Sequence, residues 1–526
     1  MHTYDDAAFD RFCSGLVNAG FSPGDDNLGH YWDGPLRPSL RPFTDENRMR
    51  IHIREGWPLR YAHVSVSGLR TGHASQGTIC LWAEDDPAQI DGRELEGLWN
   101  RVDQWASASH DGFHTEDQAL DAFFIYQDLG RYRAELPLQD VISRGIEGYS
   151  ADVFGIVQGE SLLIERGNPP DPRTIRKPVL HGAIYLRDRD TPPPRDFDEF
   201  RSALTRGQRR NLDRGIAQRS GVSFPEPSGG HDFVALTWPR HDGEHDALLL
   251  TLSGTQDELT TAALWSTPSD EAALRRRAGP DADQLGSKTV LLAGAGSVGG
   301  HVAVVLASSG VGTIHLHDSD VLTSTNVVRH VCPRILVGHR KAVAVGSTIS
   351  QHAPWTEVTP NSELPYDPVR LRAAIADVHL VVDCTGVLPM TAALAETCHR
   401  LAIPMVSGAL FHQGALARVQ RQAMGDTPIA MRGSDPRYFT IPPDAAAPGS
   451  GQAGFLELGC TAPVNNAPPT SVLAAASDIA AAAVDALTGR LMRPDERITV
   501  LLPKESPFDR VGVLDPGVHT AVPAPQ

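Results

Sequence analysis

The stretch that most constrains the fold reads Lys288-Thr-Val-Leu-Leu-Ala-Gly-Ala-Gly-Ser-Val-Gly-Gly300. Its first half is a short apolar run with β-branched residues, which is typical of a parallel strand covered on both faces. Gly294, Gly296 and Gly299 then follow the Gly-x-Gly-x-x-Gly spacing of a turn into a helix, which we expect to begin near Val298. Such a turn lets a phosphate approach the free N–H groups of the helix N-terminus. The stretch therefore predicts a doubly wound, Rossmann-like α/β domain.

The glycine spacing alone also fits a generic nucleotide-binding turn or a dinucleotide dehydrogenase. The residues after the next expected strand, 313–317, argue against a dehydrogenase. Asp318 lies where a ribose contact is expected, but it is followed by residues that hydride transfer does not require: Asp320, Asn326, Arg329 and Lys341. Carboxylates for ribose and Mg²⁺, together with cations for phosphates, suit an enzyme that cleaves ATP between its α- and β-phosphates. The sequence therefore predicts ATP and Mg²⁺ at the carboxyl edge of the sheet.

This order of residues resembles the ubiquitin-activating enzymes and their bacterial relatives, the ThiF/MoeB-type adenylyltransferases, over roughly residues 285–495. That family carries Asp-x-Asp, then Ser-Asn-x-x-Arg, then Gly-x-x-Lys. The corresponding segments here are Asp318-Ser-Asp320, Thr325-Asn-Val-Val-Arg329 and Gly338-His-Arg-Lys341. A later expected strand, residues 379–386, resembles the family's Asp-Cys-Thr-Asp. The motifs occur in the family's order, with Thr325 in place of its Ser.

The resemblance implies a role for each of these side chains. Asn326, Arg329 and Lys341 would contact the phosphates, and Asp318 would hold the ribose. Asp320 and Asp383 are the remaining carboxylates, and one or both would bind Mg²⁺. The family's last Asp is Gly386 in this chain. Either Asp320 or Asp383 therefore replaces it, or the adenylation step is impaired.

Residues 1–135 predict an α+β domain. We expect a helix over residues 5–19 with Phe9, Phe12, Leu16 and Val17 on one face, antiparallel strands over 48–53 and 62–66, and an amphipathic helix over 94–107. Between them lies Gly77-Thr-Ile-Cys80-Leu-Trp82. This stretch resembles the ubiquitin-conjugating enzymes, in which a Tyr-Pro-Phe precedes Gly-x-Ile-Cys-Leu, and Pro58 precedes Cys80 at that family's spacing. The resemblance implies that Cys80 carries a thioester.

Cys80 has a simpler alternative, since most free cysteines are small buried hydrophobes. The conjugating family's His-Pro-Asn is also missing here. The nearest candidates for its polar role are His73 and the Ser75-Gln76 pair. Because the family's Asn assists the attack by an amine, its absence places the final transfer in question.

Cys460 is the second candidate nucleophile. It follows a turn-rich segment, residues 421–459, in which residues 442–452 are too poor in bulky apolar residues to pack and are expected to be mobile. In ubiquitin-activating enzymes the catalytic cysteine is typically followed by Thr, as Cys460 is by Thr461. The resemblance implies that Cys460 accepts the activated carboxylate. The alternative is a cysteine that positions the backbone ahead of the final helix, residues 471–487.

Composition limits the class of protein. A net charge of −17 argues against general nucleic-acid binding. The six cysteines form no Cys-x-x-Cys pair, which argues against a disulfide framework and a structural zinc site. The N-terminus has no signal-peptide pattern, and Asp478 and Asp485 interrupt the most apolar helix. These features predict a cytoplasmic protein that does not bind a membrane.

The two resemblances together imply four segments. Residues 1–135 would form the ubiquitin-conjugating-like domain, and residues 136–280 a mixed α/β connecting domain or a degenerate adenylation-like half. Residues 281–510 would form the adenylation domain with its catalytic cysteine, and residues 511–526 a disordered tail. In this family such a domain pairs with another, so a homodimer is implied, with Arg276 or Arg277 acting across the interface.

The implied reaction begins with a ubiquitin-like protein that ends in glycine. ATP would convert its carboxylate to an acyl-adenylate, Cys460 would take the acyl group as a thioester, and Cys80 would deliver it to a target amine. Such fusions resemble those of bacterial antiphage systems, whose target is a signalling nucleotidyltransferase or a separate ubiquitin-like protein. One alternative is a sulfur-carrier adenylyltransferase with a persulfide at Cys460, which leaves residues 1–135 without a task. The other is a catalytically inactive scaffold that binds the modifier, which Gly386 would favour.

Overall fold

The computed structural model describes residues 3–26, 29–69, 74–75, 77–82, 86–111, 129–144, 146–167, 169, 177–188, 194, 196–239, 245–442 and 466–516. The chain divides into two compact units, Met1–Asp270 and Glu271–Gln526. Predictions for Cys460, His73 and Gln76, for most of the segment 442–452, and for the end of the tail concern residues outside these ranges. The tail was expected to be disordered from residue 511, but Gly512–Leu514 forms a strand.

The first unit begins with a helix and an antiparallel sheet. Its described strands follow the order β1-β2-β3-β4-β6-β5. The elements are α1 Asp6–Asn18, β1 Ser22–Asp26, β2 Gly29–Pro35, β3 Arg48–His52, β4 His63–Ser65, β5 Ala74–Ser75, β6 Thr78–Ile79 and α2 Leu95–Asp111. The register pairs Ile51 with Val64 and Val64 with Ile79. The antiparallel strands and the amphipathic helix expected from the sequence are confirmed.

Helix α1 packs on this sheet through a narrower face than the sequence suggested. Asp5 caps its N-terminus by accepting a hydrogen bond from the N–H of Ala8, at 2.9 Å. Phe12 and Leu16 are buried as expected, and Phe9 is half-buried, but Val17 is 57% exposed. Successive helical residues are about 100° apart, so residue 17 falls well away from the stripe that residues 9, 12 and 16 share. Its assignment to the buried face was wrong.

The rest of the first unit closes into a barrel with the strand order β10-β11-β12-β13-β7-β9-β8. Most neighbouring pairs are antiparallel, and β7 completes the ring by pairing in parallel with β13 and β9. The strands are β7 Leu129–Leu136, β8 Ser150–Gln158, β9 Ser161–Arg166, β10 Val179–Leu186, β11 Phe233–Pro239, β12 His245–Ser253 and β13 Thr260–Pro268, with helices α3 Leu138–Ile142, α4 Phe197–Ala203 and α5 Arg206–Ala217.

This barrel corrects one alternative for the connecting segment. A degenerate adenylation-like half would build a mainly parallel, doubly wound sheet, whereas these strands close a ring. A buried ion pair lies within the unit: Arg219 Nη1 is 3.4 Å from Asp232 Oδ1, and both side chains are 0% exposed. Ser228 also donates to that carboxylate, from its N–H at 2.8 Å and its hydroxyl at 2.6 Å. The barrel is therefore stabilised by a polar network as well as by its apolar interior.

The second unit contains the sheet that the glycine-rich stretch predicts. Its described strands follow the order β16-β15-β14-β17-β18-β19-β20-β21, parallel from β16 to β18 and antiparallel beyond. The strands are β14 Thr289–Ala293, β15 Thr313–His317, β16 Glu357–Asn361, β17 Leu380–Asp383, β18 Met405–Phe411, β19 Leu416–Gln422, β20 Glu496–Val500 and β21 Gly512–Leu514. The helices are α6 Glu271–Arg275, α7 Ala282–Gly286, α8 Ser297–Ser308, α9 Lys341–His352, α10 Pro368–Ile375, α11 Leu388–Leu401 and α12 Pro469–Leu487.

Helix α12 is a core helix of this unit. Within the described residues it is the one helix long and apolar enough to cross a membrane, but 56% of its apolar window is buried in the fold. Its alanines allow close packing, and Ile479 reaches Gly408 of β18, where an added Cβ would lie 2.2 Å from Ile479 Cδ1. The length and apolarity of α12 are thus accounted for by packing on the sheet.

Candidate functional site

The glycine turn after β14 has the shape that its spacing predicts. Gly294 has φ +88°, a conformation that favours glycine. A Cβ at Gly299 would lie 1.8 Å from the carbonyl oxygen of Gly294, so the helix approaches the strand too closely for any side chain there. A Cβ at Gly296 would meet nothing within 4 Å. Helix α8 begins at Ser297, one residue before the expected start, and the space in front of Gly296 is open.

Asp318, at the end of β15, holds this turn in place. Its Oδ2 accepts the N–H of Ala295 at 2.7 Å, and its Oδ1 accepts the N–H of Asp320 at 2.8 Å. Burial raises the pKa of Asp318, although the nearby N–H groups and Lys341 act in the opposite direction. The carboxylate therefore fixes two backbone segments at the edge where a ribose contact was predicted.

Lys341 is fixed at the same edge. It is the first residue of α9, and its Nζ lies 2.8 Å from Asp320 Oδ2. The lysine side chain is 14% exposed and the aspartate side chain 70%. The N–H of Lys341 also donates to the carbonyl of Asp320, at 2.8 Å. The structure thus brings a largely buried cation and an exposed carboxylate together beside the glycine turn, although they are distant in sequence.

The loop between β15 and α9 carries the other predicted phosphate ligands. Asn326 Oδ1 accepts the N–H of Thr323 at 3.0 Å, which folds the start of this segment into a local turn. Arg329 is half-buried and lines a cleft together with Ser297 and Asp383. The next residue, His330, was not singled out from the sequence. Its Nε2 lies 2.9 Å from the carbonyl oxygen of Ala295 in the glycine turn.

Asp383 has a different environment from the one its magnesium role requires. It is 1% exposed. Its Oδ1 accepts the N–H and hydroxyl of Thr385, at 3.0 and 2.7 Å. Its Oδ2 accepts the hydroxyls of Thr391 and Ser407, at 2.6 and 2.9 Å. A carboxylate has about four lone-pair sites, and these four donors fill them. The contacts therefore favour Asp320, not Asp383, as the carboxylate available to Mg²⁺.

Gly386 occupies the position of the family's missing last Asp. It has φ +65°, and a Cβ there would meet nothing within 4 Å. The backbone conformation is one that Asp and Asn tolerate better than other residues with a side chain. The loop therefore has room for a carboxylate that this chain does not supply.

Two solvent-open clefts meet at Thr385, which lines both. The smaller, of about 640 Å³, is bordered by Gly294, Asp318, Asp320 and Tyr366. The larger, of about 1630 Å³, extends past Arg329, Gly386 and the strand residues Ser407, Arg418 and Gln420. Two adjoining clefts thus lie at the carboxyl edge of the sheet, beside the glycine turn.

In the first unit, Cys80 lies exposed immediately after β6. Its Sγ is 3.9 Å from the carbonyl oxygen of Trp82, and Trp82 packs on Tyr61 with ring centroids 4.8 Å apart. Burial raises the pKa of Tyr61, and the nearby sulfur of Cys80 raises it further. Gly77 has φ +80°, and a Cβ there would lie 2.2 Å from the carbonyl oxygen of Val66. The alternative of a buried structural cysteine is not what the structure shows.

Other described cysteines have the opposite character. Cys332 and Cys398 are 2% and 0% exposed. Burial raises the pKa of both thiols, to about 12 for Cys398. Burial and the neighbouring Asp383 raise the pKa of Cys384 as well. Thiolates are disfavoured at these three positions, as expected for core cysteines.

The arginines before the glycine turn divide into two kinds. Arg275 is tied to its own unit, with Nη2 3.1 Å from the carbonyl oxygen of Gly310 and Nη1 3.2 Å from Glu271 Oε1. Arg276 and Arg277 are exposed. Arg275 is therefore bound within its own unit, and the role of Arg276 or Arg277 at a second site stays a prediction.

Comparison with known proteins supports the second unit's assignment. Residues 270–494 match the ThiF family. Molybdopterin-synthase adenylyltransferase of Escherichia coli (strain K12) is 32% identical over 128 residues, covering 24% of this chain and 51% of that protein. ATP-dependent ubiquitin transferase-like protein Cap2 of Pseudomonas aeruginosa (strain BWHPSA011 / Pa011) is 32% identical over 229 residues, covering 42% of this chain and 40% of that protein.

The similarity is partial in both sequence and structure. The chain spans about a quarter to a half of the length of the first curated relatives that it matches. The crystal structure of E. coli MccB with ATP is 18% identical, covering 45% of this chain and 66% of that chain at a TM-score of 0.34. The ordered motifs and the family match agree on the same region, and residues 270–494 of this chain form a ThiF-family domain.

Proposed function

We propose that this protein is an ATP-dependent adenylyltransferase that activates the C-terminal glycine of a ubiquitin-like protein. The observation that carries the proposal is the arrangement of Lys341, Asp320 and Asp318 around the open glycine turn of a ThiF-family domain. The fixed cation and the free helix N-terminus provide positive charge where triphosphate charge would lie. The modifier's C-terminal tail would lie in the larger cleft, which shares Thr385 with the smaller one.

In the first step, a carboxylate oxygen of the modifier would attack the α-phosphorus of ATP. A bond from that oxygen to phosphorus forms, the bond to the bridging oxygen breaks, and pyrophosphate leaves. Lys341 and Arg329 would stabilise the charge that develops on the phosphates, and Asp318 would keep the glycine turn in position. Mg²⁺ would neutralise further phosphate charge. It commonly needs only one or two protein carboxylates, so the exposed Asp320 fits that role.

In the second step, we propose that the acyl group moves to cysteine thiolates. The thiolate of Cys460 would attack the acyl carbon and release AMP, which leaves a thioester. The thiolate of Cys80 would then attack this thioester and release the thiolate of Cys460. A target amine would finally attack the Cys80 thioester, forming an amide and freeing the thiol. The exposure of Cys80 supports its part in this relay, because a carrier thiol has to meet two large partners.

The relay is tested on non-reducing gels after incubation of the full chain with ATP, Mg²⁺ and a small ubiquitin-like protein that ends in glycine. The Cys80→Ala protein should hold the modifier on Cys460, and the Cys460→Ala protein should form the adenylate without charging Cys80. The Cys460 adduct of the Cys80→Ala protein and the Cys80 adduct of the unmodified protein should disappear with a reducing thiol, because thioesters exchange with free thiolate and amides do not. Cys13→Ala is the matched control, since Cys13 is a half-buried cysteine of the first unit. Normal charging of Cys80 in the Cys460→Ala protein would refute the relay.

The second candidate function is the activation of a sulfur-carrier protein. The 32% identity to a molybdopterin-synthase adenylyltransferase favours it. Under this alternative, the Cys80→Ala protein would keep full activity toward the carrier. The thiolate of Cys460 would take a sulfane sulfur from a persulfide-bearing donor, whose thiolate leaves, and would carry a persulfide, not a thioester. Mass spectrometry of the adduct separates the two, because the thioester retains the carrier's mass.

The proposed setting is a cytoplasmic homodimer that acts in bacterial antiphage conjugation, with a signalling nucleotidyltransferase or the modifier itself as target. The family match and the Cap2 relatives support this setting. Light scattering at micromolar concentration should give twice the chain mass of 56.7 kDa. A fully active monomer would contradict the homodimer and the role of Arg276 or Arg277 across its interface.

A further inference from the structure

His330 is bonded on both ring nitrogens within the ThiF-family domain. Its Nε2 lies 2.9 Å from the carbonyl oxygen of Ala295, and its Nδ1 accepts the N–H of Cys332 at 3.2 Å. Because Nδ1 acts as an acceptor, the neutral ring carries its proton on Nε2 and donates it to Ala295. The ring is 7% exposed. It therefore reaches from the loop after β15 to the middle of the glycine turn.

Ala295 is consequently held from two sides. Its N–H donates to Asp318 Oδ2 at 2.7 Å, and its carbonyl accepts from His330. In a trans peptide the carbonyl of one residue and the N–H of the next point in opposite directions. Fixing the carbonyl of Ala295 toward His330 therefore fixes the N–H of Gly296 away from it. The orientation of that one N–H depends on a side chain 35 residues further along the chain.

The turn is open at Gly296. A Cβ on Gly296 would meet nothing within 4 Å. Within the described part of the chain, this N–H has no acceptor, whereas the carbonyl of Gly296 accepts the N–H of Gly300 at 2.8 Å. Gly296 also caps the N-terminus of α8, where the helix dipole favours an anion.

We propose that His330 is a positioning residue that aims the N–H of Gly296 at a phosphate of the bound nucleotide by fixing the carbonyl of Ala295. The inference rests on the proposed ATP-dependent function and assigns a role to a side chain that does not itself touch the nucleotide. Asp318 fixes the preceding peptide in the same way, so the two side chains together set the shape of the turn.

Only the neutral ring fits this role, because a proton on Nδ1 would face the N–H of Cys332. Burial lowers the pKa of His330, and the positive charges of Lys341 on α9 and His301 on α8 lower it further, against the opposing hydrogen bond to Ala295. The surroundings thus favour the form that donates from Nε2. At low pH the ring should gain a proton on Nδ1, and His330 should then no longer hold the glycine turn in this shape.

The test compares His330→Ala and His330→Gln with His379→Gln in the full chain. His379 is the matched control, because its Nδ1 accepts the N–H of Thr289 at 3.0 Å at the opposite end of β14. Calorimetric titration measures the binding of ATP and of adenosine, which lacks phosphates. His330→Ala should weaken ATP binding roughly tenfold to a hundredfold while leaving adenosine binding unchanged, since one hydrogen bond to a charged group is lost. His379→Gln should change neither.

His330→Gln provides a second measurement and decides the matter if the alanine variant does not fold. Its amide can donate to Ala295, so ATP binding should be partly restored. Because Gln does not titrate, the acid side of the pyrophosphate-exchange profile should move to lower pH than in the unmodified protein. Equal effects on ATP and adenosine, or an unchanged acid limb, would overturn the positioning role. An unmodified protein that neither binds ATP nor exchanges pyrophosphate would instead overturn the proposed function, and this inference with it.

Discussion

The nucleotide edge of the second unit and the Cys80 edge of the first unit are built in opposite ways. At the nucleotide edge, Asp318 and Asp383 each hold two or more donors, and Lys341 is largely buried against Asp320. Cys80 instead lies exposed after a two-residue strand, with a 3.9 Å sulfur contact to a carbonyl oxygen. Stabilising developing charge requires fixed dipoles, whereas a carrier thiol requires access. The difference matches the separate steps proposed for the two units.

Glycines show the same contrast. A Cβ at Gly77, just before Cys80, would lie 2.2 Å from the carbonyl oxygen of Val66, so this glycine is required by packing. A Cβ at Gly296 would enter open space. A glycine in a motif can therefore serve either the fold or a ligand, and the space around it tells which.

The largest effect is expected from Lys341→Ala, which removes the fixed cation of the nucleotide edge. Pyrophosphate exchange should fall by about a hundredfold to a thousandfold, below detection in most assays, because a preorganised charge is lost. Arg329→Ala should reduce exchange strongly but less. Arg400→Ala is the control, since Arg400 is an exposed cation paired with Glu396 on α11. Exchange that survives Lys341→Ala at the normal rate would remove the lysine from the site.

The next largest effect tests whether the two units serve separate steps. Asp232→Asn leaves the buried Arg219 in the barrel without its charge partner, so the free energy of unfolding of the first unit should fall by about 3–5 kcal/mol. Pyrophosphate exchange at low temperature should be unaffected. Asp383→Asn should lower both the free energy of unfolding of the second unit and pyrophosphate exchange, because the residues that donate to Asp383 line the larger cleft of that unit. Chemical denaturation and exchange assays measure the two quantities; equal loss of exchange in both variants would contradict the separation.

A smaller effect on stability should distinguish Gly299 from Gly296, two glycines of the same turn. Gly299→Ala should lower the free energy of unfolding of the second unit by roughly 1–3 kcal/mol, because its Cβ would lie 1.8 Å from the carbonyl oxygen of Gly294. Gly296→Ala should leave stability nearly unchanged and weaken ATP binding. Thermal unfolding with and without ATP gives both values. If the Gly296→Ala protein bound ATP as tightly as the unmodified protein, the proposal that a phosphate lies against the backbone of Gly296 would be wrong.

The smallest effect concerns pH and the first unit. Burial, with Arg54, Arg60 and His52, lowers the pKa of His63 from 6.5 to about 4. As the pH falls, the unfolded chain therefore takes up a proton before the folded chain does. The stability linked to His63 is complete above pH 6.5 and is lost as the pH falls toward 4. His63→Gln should flatten this part of the stability profile, and His110→Gln, at the exposed end of α2, should leave it as it is.

The local pattern of residues was sufficient for several features. The strand, glycine turn and helix at residues 288–300 follow from backbone conformations and burial that neighbouring residues encode. Asp318 and Asp320 could be placed beside the turn because the carboxyl ends of adjacent parallel strands lie at one edge of a sheet. The ThiF-family match covers the region where these motifs occur in order. The exposure of Cys80 agrees with the conjugating-type motif around it, whereas most free cysteines are buried.

Only the tertiary structure decided which polar groups are already satisfied. Asp383 is unavailable to Mg²⁺ partly because Thr391 and Ser407, which lie on different elements, donate to its carboxylate. The closure of the barrel depends on β7 pairing with β13 across more than a hundred residues. His330 gains its role from a carbonyl 35 residues earlier. Local sequence encodes conformation and burial, whereas a hydrogen-bond partner distant in the chain is fixed only by how the chain returns to it.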